Sequence, residues 1–290
     1  MFASLFWNPS RDIVTLPLIN LPIRWYGVLF ATGFFLSYYL MVVMVKETFR
    51  AEGLDAPKSR ALKYVDALTT SMIIATVGGA RIGHILFYED LALFFRHPLD
   101  LFCVWKGGLA SHGAAIAILG ALWLFVKKHR ELKMGSLFDL VVVPTALVGG
   151  MIRVGNFINQ ELIGIASTGP LAITFGNPAD GGAIVPRHPV QLYEAVAYLT
   201  IFAFLMLLWR RSVSLRHKGL LSGLFLTLVF TSRLILECFK VRQSEWLSAN
   251  SPLSMGQLLS LPFIALGVYL LFRVLRAKRH QGETLPTETL

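Results

Sequence analysis

Apolar residues in this chain run in long blocks, and the polar residues collect between them. From 136 to 157, Leu137, Leu140, Val141, Val142, Val143, Leu147 and Val148 follow one another with little polar interruption. A helix needs about 20 mostly apolar residues to cross the hydrocarbon core of a bilayer. Seven stretches meet that length, at roughly 25–45, 66–88, 111–127, 136–157, 190–209, 219–239 and 255–275. The second carries Asp66 and Arg81, and the third is short. The pattern predicts an all-α polytopic membrane protein with seven transmembrane helices, forming one domain over 1–279.

Pro9, Pro17 and Pro22 exclude a full helix over 1–24, and the apolar residues between them suit a short segment lying in the outer interface. The stretch 158–188 is rich in glycine and proline. It reads as a small outer loop subdomain with short strands at Leu171 to Phe175, and long ordered loops of this kind carry function. Residues 280–290 are polar and read as a disordered tail.

Composition agrees with the pattern: 55% of the 290 residues are hydrophobic, 15% are charged, and mean hydropathy is +0.61. Those values lie outside the range of soluble domains. The loops after spans one, three and five and the C-terminal tail hold 17 of the 27 Lys and Arg residues. Positive residues stay on the cytoplasmic side, so the N-terminus is expected outside and the C-terminus inside. The net charge of +10 does not indicate nucleic acid. Its basic residues sit in short clusters beside span ends, where anionic lipid retains them, and no basic groove or stacking platform is visible.

Cys103 and Cys238 cannot make a disulfide framework, and neither has a metal-ligand spacing. The first apolar run is long and follows about twenty mixed residues, unlike a cleavable signal peptide.

Topology gathers scattered polar residues into one region. Tyr26, Arg81, His112, Arg153 to Asn159, His188 to Glu194 and Arg233 to Glu237 all fall at the expected outer ends of their spans. Ionisable groups inside a membrane are costly and mark functional sites, so these residues outline a polar cavity opening in the outer leaflet. Arginines in a low-dielectric cavity suit an anion, and a planar guanidinium matches phosphate with two parallel donors. A phospholipid headgroup is the natural anion at that depth.

Each candidate also has a plainer reading. Arg153 could snorkel or pair with Glu161, Arg233 could pair with Glu237 four residues on, and Arg81 could pair with Glu89 or Asp90. Arg187 and His188 could meet a headgroup or cap the interface, while Gln191, Tyr193 and Glu194 could hydrogen-bond into the cavity. His112 follows Gly107, Gly108, Leu109, Ala110 and Ser111 at a helix entrance and is a candidate proton acceptor. His84, His97, His129, His217 and His280 lack such surroundings. GGARIG at 78–83 and GGMIRVG at 149–155 put paired glycines just before an arginine, which suits close helix packing that exposes each arginine to a cavity.

Seven blocks in order resemble the bacterial prolipoprotein diacylglyceryl transferases. They are RWYG at 24–27, GGARIGHILFY at 78–88, WKGGLASHG at 105–113, RVGNFINQELIG at 153–164, PRHPVQLYE at 186–194, GLLSGLFL with SRLILECF over 219–239, and SMGQLLSLP at 254–262. The resemblance implies an inner-membrane enzyme that, with no metal or cofactor, moves the diacylglyceryl group of phosphatidylglycerol onto the cysteine thiol of a prolipoprotein signal peptide, releasing glycerol phosphate. By the same resemblance Arg153 and Arg233 bind the lipid phosphate, and His112 helps to deprotonate the thiol. Tyr26, Asn156, Glu161, Gly164, His188 and Glu237 shape the site, and Arg81 joins the lipid-binding set.

Four positions depart from the family pattern: Ile152 for a glycine, Val229 for a tyrosine, Ala114 for a second glycine, and Lys240 for an arginine. A lipid or anion transporter or scramblase is the alternative. It would place polar residues through the midplane and inner side, whereas this chain keeps them at one side.

Overall fold

The computed structural model describes residues 4–17, 21–88, 110–211, 218–241 and 251–282. In chain order the elements are β1 (Leu5–Trp7), β2 (Asp12–Leu16), β3 (Leu21–Arg24), α1 (Trp25–Ala51), α2 (Lys58–Tyr88), α3 (Ser111–Lys128) and α4 (Met134–Ile158). There follow β4 (Ile173–Phe175), β5 (Pro186–Arg187), α5 (Val190–Arg210), α6 (Leu220–Leu236), a 3-10 turn (Glu237–Phe239) and α7 (Met255–Gly282).

Six of these helices are long and apolar enough to cross a membrane, against the seven expected from sequence. The exception is α3, which covers the third expected span. It has only 18 residues, and His112, Lys127 and Lys128 occupy its ends. Large apolar side chains such as Phe35, Ile74, Leu119, Val196 and Phe272 face outward on their helices. Exposure of that kind fits hydrocarbon surroundings. Two other boundaries differ from expectation. Helix α2 starts at Lys58 rather than near 66, and α7 continues to Gly282 through the stretch expected to begin the tail. Lys and Arg are good helix formers, so a spanning helix can continue past the apolar limit that hydropathy detects.

The chain also contains strands that an all-α reading omits. β2 and β3 form an antiparallel hairpin with no linker before α1, and Trp25 N–H donates to Arg11 O at 3.1 Å. β4 lies between β1, which runs parallel to it, and β5, which runs antiparallel. The 158–188 loop thus has a strand where one was expected, while β1 to β3 were not foreseen. Prolines at 9, 17 and 22 excluded helix there but gave no register.

The chain forms two compact units, Met1–Tyr39 with Phe138–Leu290, and Leu40–Leu137. In the second, Tyr64 packs edge-on against both Phe49 and Phe125. Helices α2 and α3 cross at glycines. A Cβ on Gly83 would lie 2.6 Å from Gly113 Cα, and one on Gly79 would overlap the Ala117 methyl. The GGARIG block is therefore a packing seat for α3.

In the first unit, the sheet is anchored to α4 by Trp7. Its ring stacks on Phe157 at 4.6 Å, and its Nε1 donates to Phe157 O at 3.2 Å. Asp139 near the start of α4 caps the N-terminus of α6. Its carboxylate accepts from Gly219 N (2.7 Å), Ser222 N (2.8 Å) and Ser222 Oγ (2.6 Å), and Gly219 takes φ +93° to turn into the helix. Losing this buried cap leaves three donors unmet. Asp139→Ala is expected to cost about 2–4 kcal/mol of stability, read by denaturant unfolding in micelles, while Asp139→Asn keeps one acceptor oxygen and loses less.

Candidate active site

The RVGNFINQE segment ends α4, and the backbone beyond it turns sharply. Gln160 and Leu162 both adopt left-handed conformations, φ 56° and 57°. Each costs a non-glycine residue about 1–2 kcal/mol. Buried contacts offset that cost: Gln160 Oε1 accepts from Asn177 N at 2.7 Å, Gln160 Nε2 donates to Asn8 at 3.2 Å, and Gln191 Nε2 donates to Glu161 O at 2.6 Å. The turn folds the Glu161 carboxylate back onto the last turn of α4.

A continuous polar chain results. Glu161 Oε1 accepts from Asn156 Nδ2 at 2.6 Å and from Asn159 Nδ2 at 3.4 Å, and Asn156 Oδ1 accepts from Arg153 Nη1 at 3.3 Å. Arg153 Nε faces Glu194 Oε2 at 3.1 Å, and Glu194 Oε1 accepts from Lys240 Nζ at 2.7 Å. Glu194 is fully buried, whereas the Arg153 side chain keeps 16% exposure. Lys240 also reaches Glu237 Oε2 at 3.5 Å. The Tyr198 hydroxyl, one helical turn beyond Glu194, lies within reach of Arg153 and in the electrostatic range of Arg233.

Arg233, in the last turn of α6, makes no ion pair among the described residues, and its Nε is buried without a hydrogen-bond partner. The expected alternative pairing with Glu237 is not formed, because Glu237 turns to Lys240. The α7 end supports this arrangement. Ser254 and Gln257 exchange backbone and side-chain hydrogen bonds as a capping box, and a Cβ on Gly256 would lie 2.5 Å from the Glu237 carboxylate. The SMGQ block therefore caps a helix and seats a carboxylate.

Tyr26 packs its ring on Gly155, where a Cβ would lie 2.8 Å from Cδ2, and Glu161 and Arg153 act on it electrostatically. An open groove of about 480 Å³ runs beside it, lined by Ile23, Arg24, Gly27, Val28, Ala31 and Asn159 among others. His188 Nδ1 lies 3.2 Å from the Tyr193 hydroxyl, and its ring packs edge-on to Phe239.

Gly164 is a backbone junction. Its N–H donates to His188 O at 3.1 Å, and a Cβ there would lie 2.5 Å from that oxygen and 2.7 Å from Phe239 O. Gly164→Ala would push apart the strands that carry His188 and Lys240. A loss of about tenfold or more in turnover is expected, along with about 1–3 kcal/mol of stability. Steady-state kinetics and unfolding in micelles check both.

Tyr26, Arg153, Asn156, Glu161, Gly164, His188, Arg233 and Glu237 all belong to the first unit. Arg81 and His112 belong to the second. Arg81 is 5% exposed and has an interaction partner, while His112 is exposed in the first turn of α3. Glu89 and Asp90, the partners considered for Arg81, and residues 105–109 lie outside the described residues. Arg187 pairs with Asp180 at 3.2 Å and holds the loop together.

Two residues gained importance over the sequence reading. Glu194 was one of several groups able to bond into the cavity, and Lys240 was only a departure from a pattern. A carboxylate inside a spanning helix with no basic residue one turn away must find its cation elsewhere, and that was the available signal.

A family model described as "Prolipoprotein diacylglyceryl transferase" matches residues 13–273. Proteins called phosphatidylglycerol–prolipoprotein diacylglyceryl transferase are similar over nearly the whole chain. The one from Tolumonas auensis is 44% identical over 92% of this chain and 96% of its own length. The one from Chloroherpeton thalassium is 39% identical over 93% and 94%, and that from Porphyromonas gingivalis 38% over 94% and 96%. The chain belongs to the prolipoprotein diacylglyceryl transferase family.

Proposed function

We propose that this protein transfers the diacylglyceryl group of phosphatidylglycerol to the thiol of a cysteine in prolipoprotein signal peptides. The carrying observation is the polar chain from Lys240 through Glu194, Arg153 and Asn156 to Glu161, beside Arg233, which makes no ion pair among the described residues and whose buried Nε has no hydrogen-bond partner there. Three carboxylates, Glu161, Glu194 and Glu237, are joined with two cations, Lys240 and Arg153, in this cluster, so an incoming phosphate needs a cation not already engaged. Arg233 supplies it, with Arg153 held alongside.

In the reaction the cysteine sulfur, as thiolate, attacks the glyceryl carbon that bears the phosphate. The carbon–sulfur bond forms as the carbon–oxygen bond breaks, and the electron pair leaves with glycerol phosphate. The phosphate goes from one negative charge to two, so guanidinium contacts strengthen as the reaction proceeds, which is the condition for catalysis rather than mere binding. The thiol proton goes to His112. Thiolate is the reactive form, so a nearby base or cation raises the rate. Tyr26, Asn156, Glu161, Gly164, His188 and Glu237 position these groups, and Arg81 serves lipid binding.

The same reading places the N-terminus outside and the C-terminus inside a bacterial inner membrane, with α3 as a seventh crossing. The 158–188 subdomain lies on the outer side, and the site opens to the outer leaflet, where a signal-peptide cysteine emerges. The Lys and Arg asymmetry between successive loops supports it.

Purified protein given phosphatidylglycerol and a signal-peptide substrate is expected to yield a thioether-linked peptide and equimolar glycerol phosphate. Lipid movement between leaflets without thioether would overturn the proposal in favour of a transporter. For His112→Gln, turnover should fall about 10²–10⁴-fold, and its pH profile should differ from that of the wild type. An unchanged pH profile removes the histidine as the base.

A further inference from the structure

Lys240 is buried, with its side chain 8% exposed, and its ammonium bridges carboxylates on two elements, Glu194 of α5 and Glu237 of the turn after α6. Burying an ammonium costs several kcal/mol unless it is paired, and this one is paired twice. Its backbone is fixed too, by a bridge to Gly164 and a hydrogen bond from its N–H to Glu237 O at 3.2 Å.

Both carboxylates have an arginine within their range. Glu194 already holds Arg153 Nε. Glu237 is four residues after Arg233, the spacing at which opposite charges meet on one helix face, yet it turns to Lys240 and Arg233 Nε has no hydrogen-bond partner. With no cation at 240, Glu237 is released toward Arg233, and Glu194 has only Arg153 to pair with. Opposite charges brought together in a partly desolvated site attract far more strongly than in water, so either carboxylate can compete with a lipid phosphate for its arginine.

We propose that Lys240 is a positioning residue that occupies Glu194 and Glu237, so that Arg233 and the exposed side of Arg153 remain available to an anionic phosphodiester. This deepens the transferase reading and rests on it. Lys240 acts through the two carboxylates rather than on the substrate, so its loss weakens lipid binding more than it slows the chemical step.

The test uses the full-length protein in detergent micelles, with phosphatidylglycerol varied against a saturating thiol peptide. Lys240→Met is expected to raise KM for the lipid about tenfold or more while kcat changes less than about threefold, and Lys240→Arg to stay within about threefold of wild type in both, as loss of uniform binding requires. Adding Glu237→Gln to Lys240→Met should lower that KM again by about threefold or more, because Glu237 no longer captures Arg233. A wild-type KM in Lys240→Met, equal impairment in Lys240→Arg, or additive effects of the two substitutions overturn the proposal. If Lys240→Met alone does not fold, the double variant is compared with Glu237→Gln: KM values within about threefold support the proposal, and a double variant about tenfold weaker overturns it. Wild-type protein without transfer would count against the transferase reading, whereas active wild type with an unaffected Lys240→Met counts against Lys240 alone.

Discussion

Arg153→Ala is expected to lower single-turnover thioether formation by about 10³-fold or more, roughly 4 kcal/mol of transition-state stabilisation. Two effects add. The phosphate loses a guanidinium as its charge rises, and Glu194, fully buried, loses the partner of Oε2 while Asn156 loses the donor to Oδ1. The second effect also carries a stability cost, because one uncompensated charge at a buried pair costs about 3–5 kcal/mol; here Lys240 still neutralises Glu194, so the protein should fold with a smaller loss. Arg153→Lys separates the contributions. A lysine keeps the charge but offers a point donor, and cannot at once face Glu194 and donate to Asn156 as Nε and Nη1 do. It should remain about 10²-fold impaired. Activity of Arg153→Ala within about tenfold of wild type would remove this residue from the phosphate site.

Arg233→Ala should be as damaging to turnover, about 10²–10³-fold, with little effect on stability. The difference lies in what each arginine holds. Arg153 pairs with Glu194 and donates to Asn156, whereas Arg233 makes no ion pair among the described residues, so its removal takes a cation from none of the described carboxylates. Unfolding in micelles should therefore be close to wild type while kcat/KM collapses. A variant that unfolds early and keeps its specific activity would show that Arg233 serves packing.

The helical part of the fold was legible because hydropathy reads desolvation directly, and the blocks at 136–157 and 190–209 correspond closely to α4 and α5. Helix α3 was the weak case in both readings, since eighteen residues with polar ends sit at the limit of what length and composition can decide. The three N-terminal strands were illegible: β2 is exposed along most of its length, so no alternation of buried and exposed positions advertises it.

For the candidate site, the arginines and asparagines were visible because charge inside a span is costly. Their partners were not. Local pairing of Arg153 with Glu161 was the plainer expectation, yet the left-handed turns at Gln160 and Leu162 set Asn156 between them and leave Arg153 to Glu194, 41 positions on. Pairing across elements depends on how helices are rotated, which a single sequence does not specify. The same holds for Lys240, whose value lies in two carboxylates brought to it by α5 and the turn after α6.

The most direct test of this account is a structure of the full-length protein with phosphatidylglycerol bound, determined in a lipid nanodisc. The account predicts the lipid phosphate within hydrogen-bonding distance of both Arg153 and Arg233, with Lys240 still on Glu194. A phosphate bound elsewhere, with Arg233 turned onto Glu237, would contradict it.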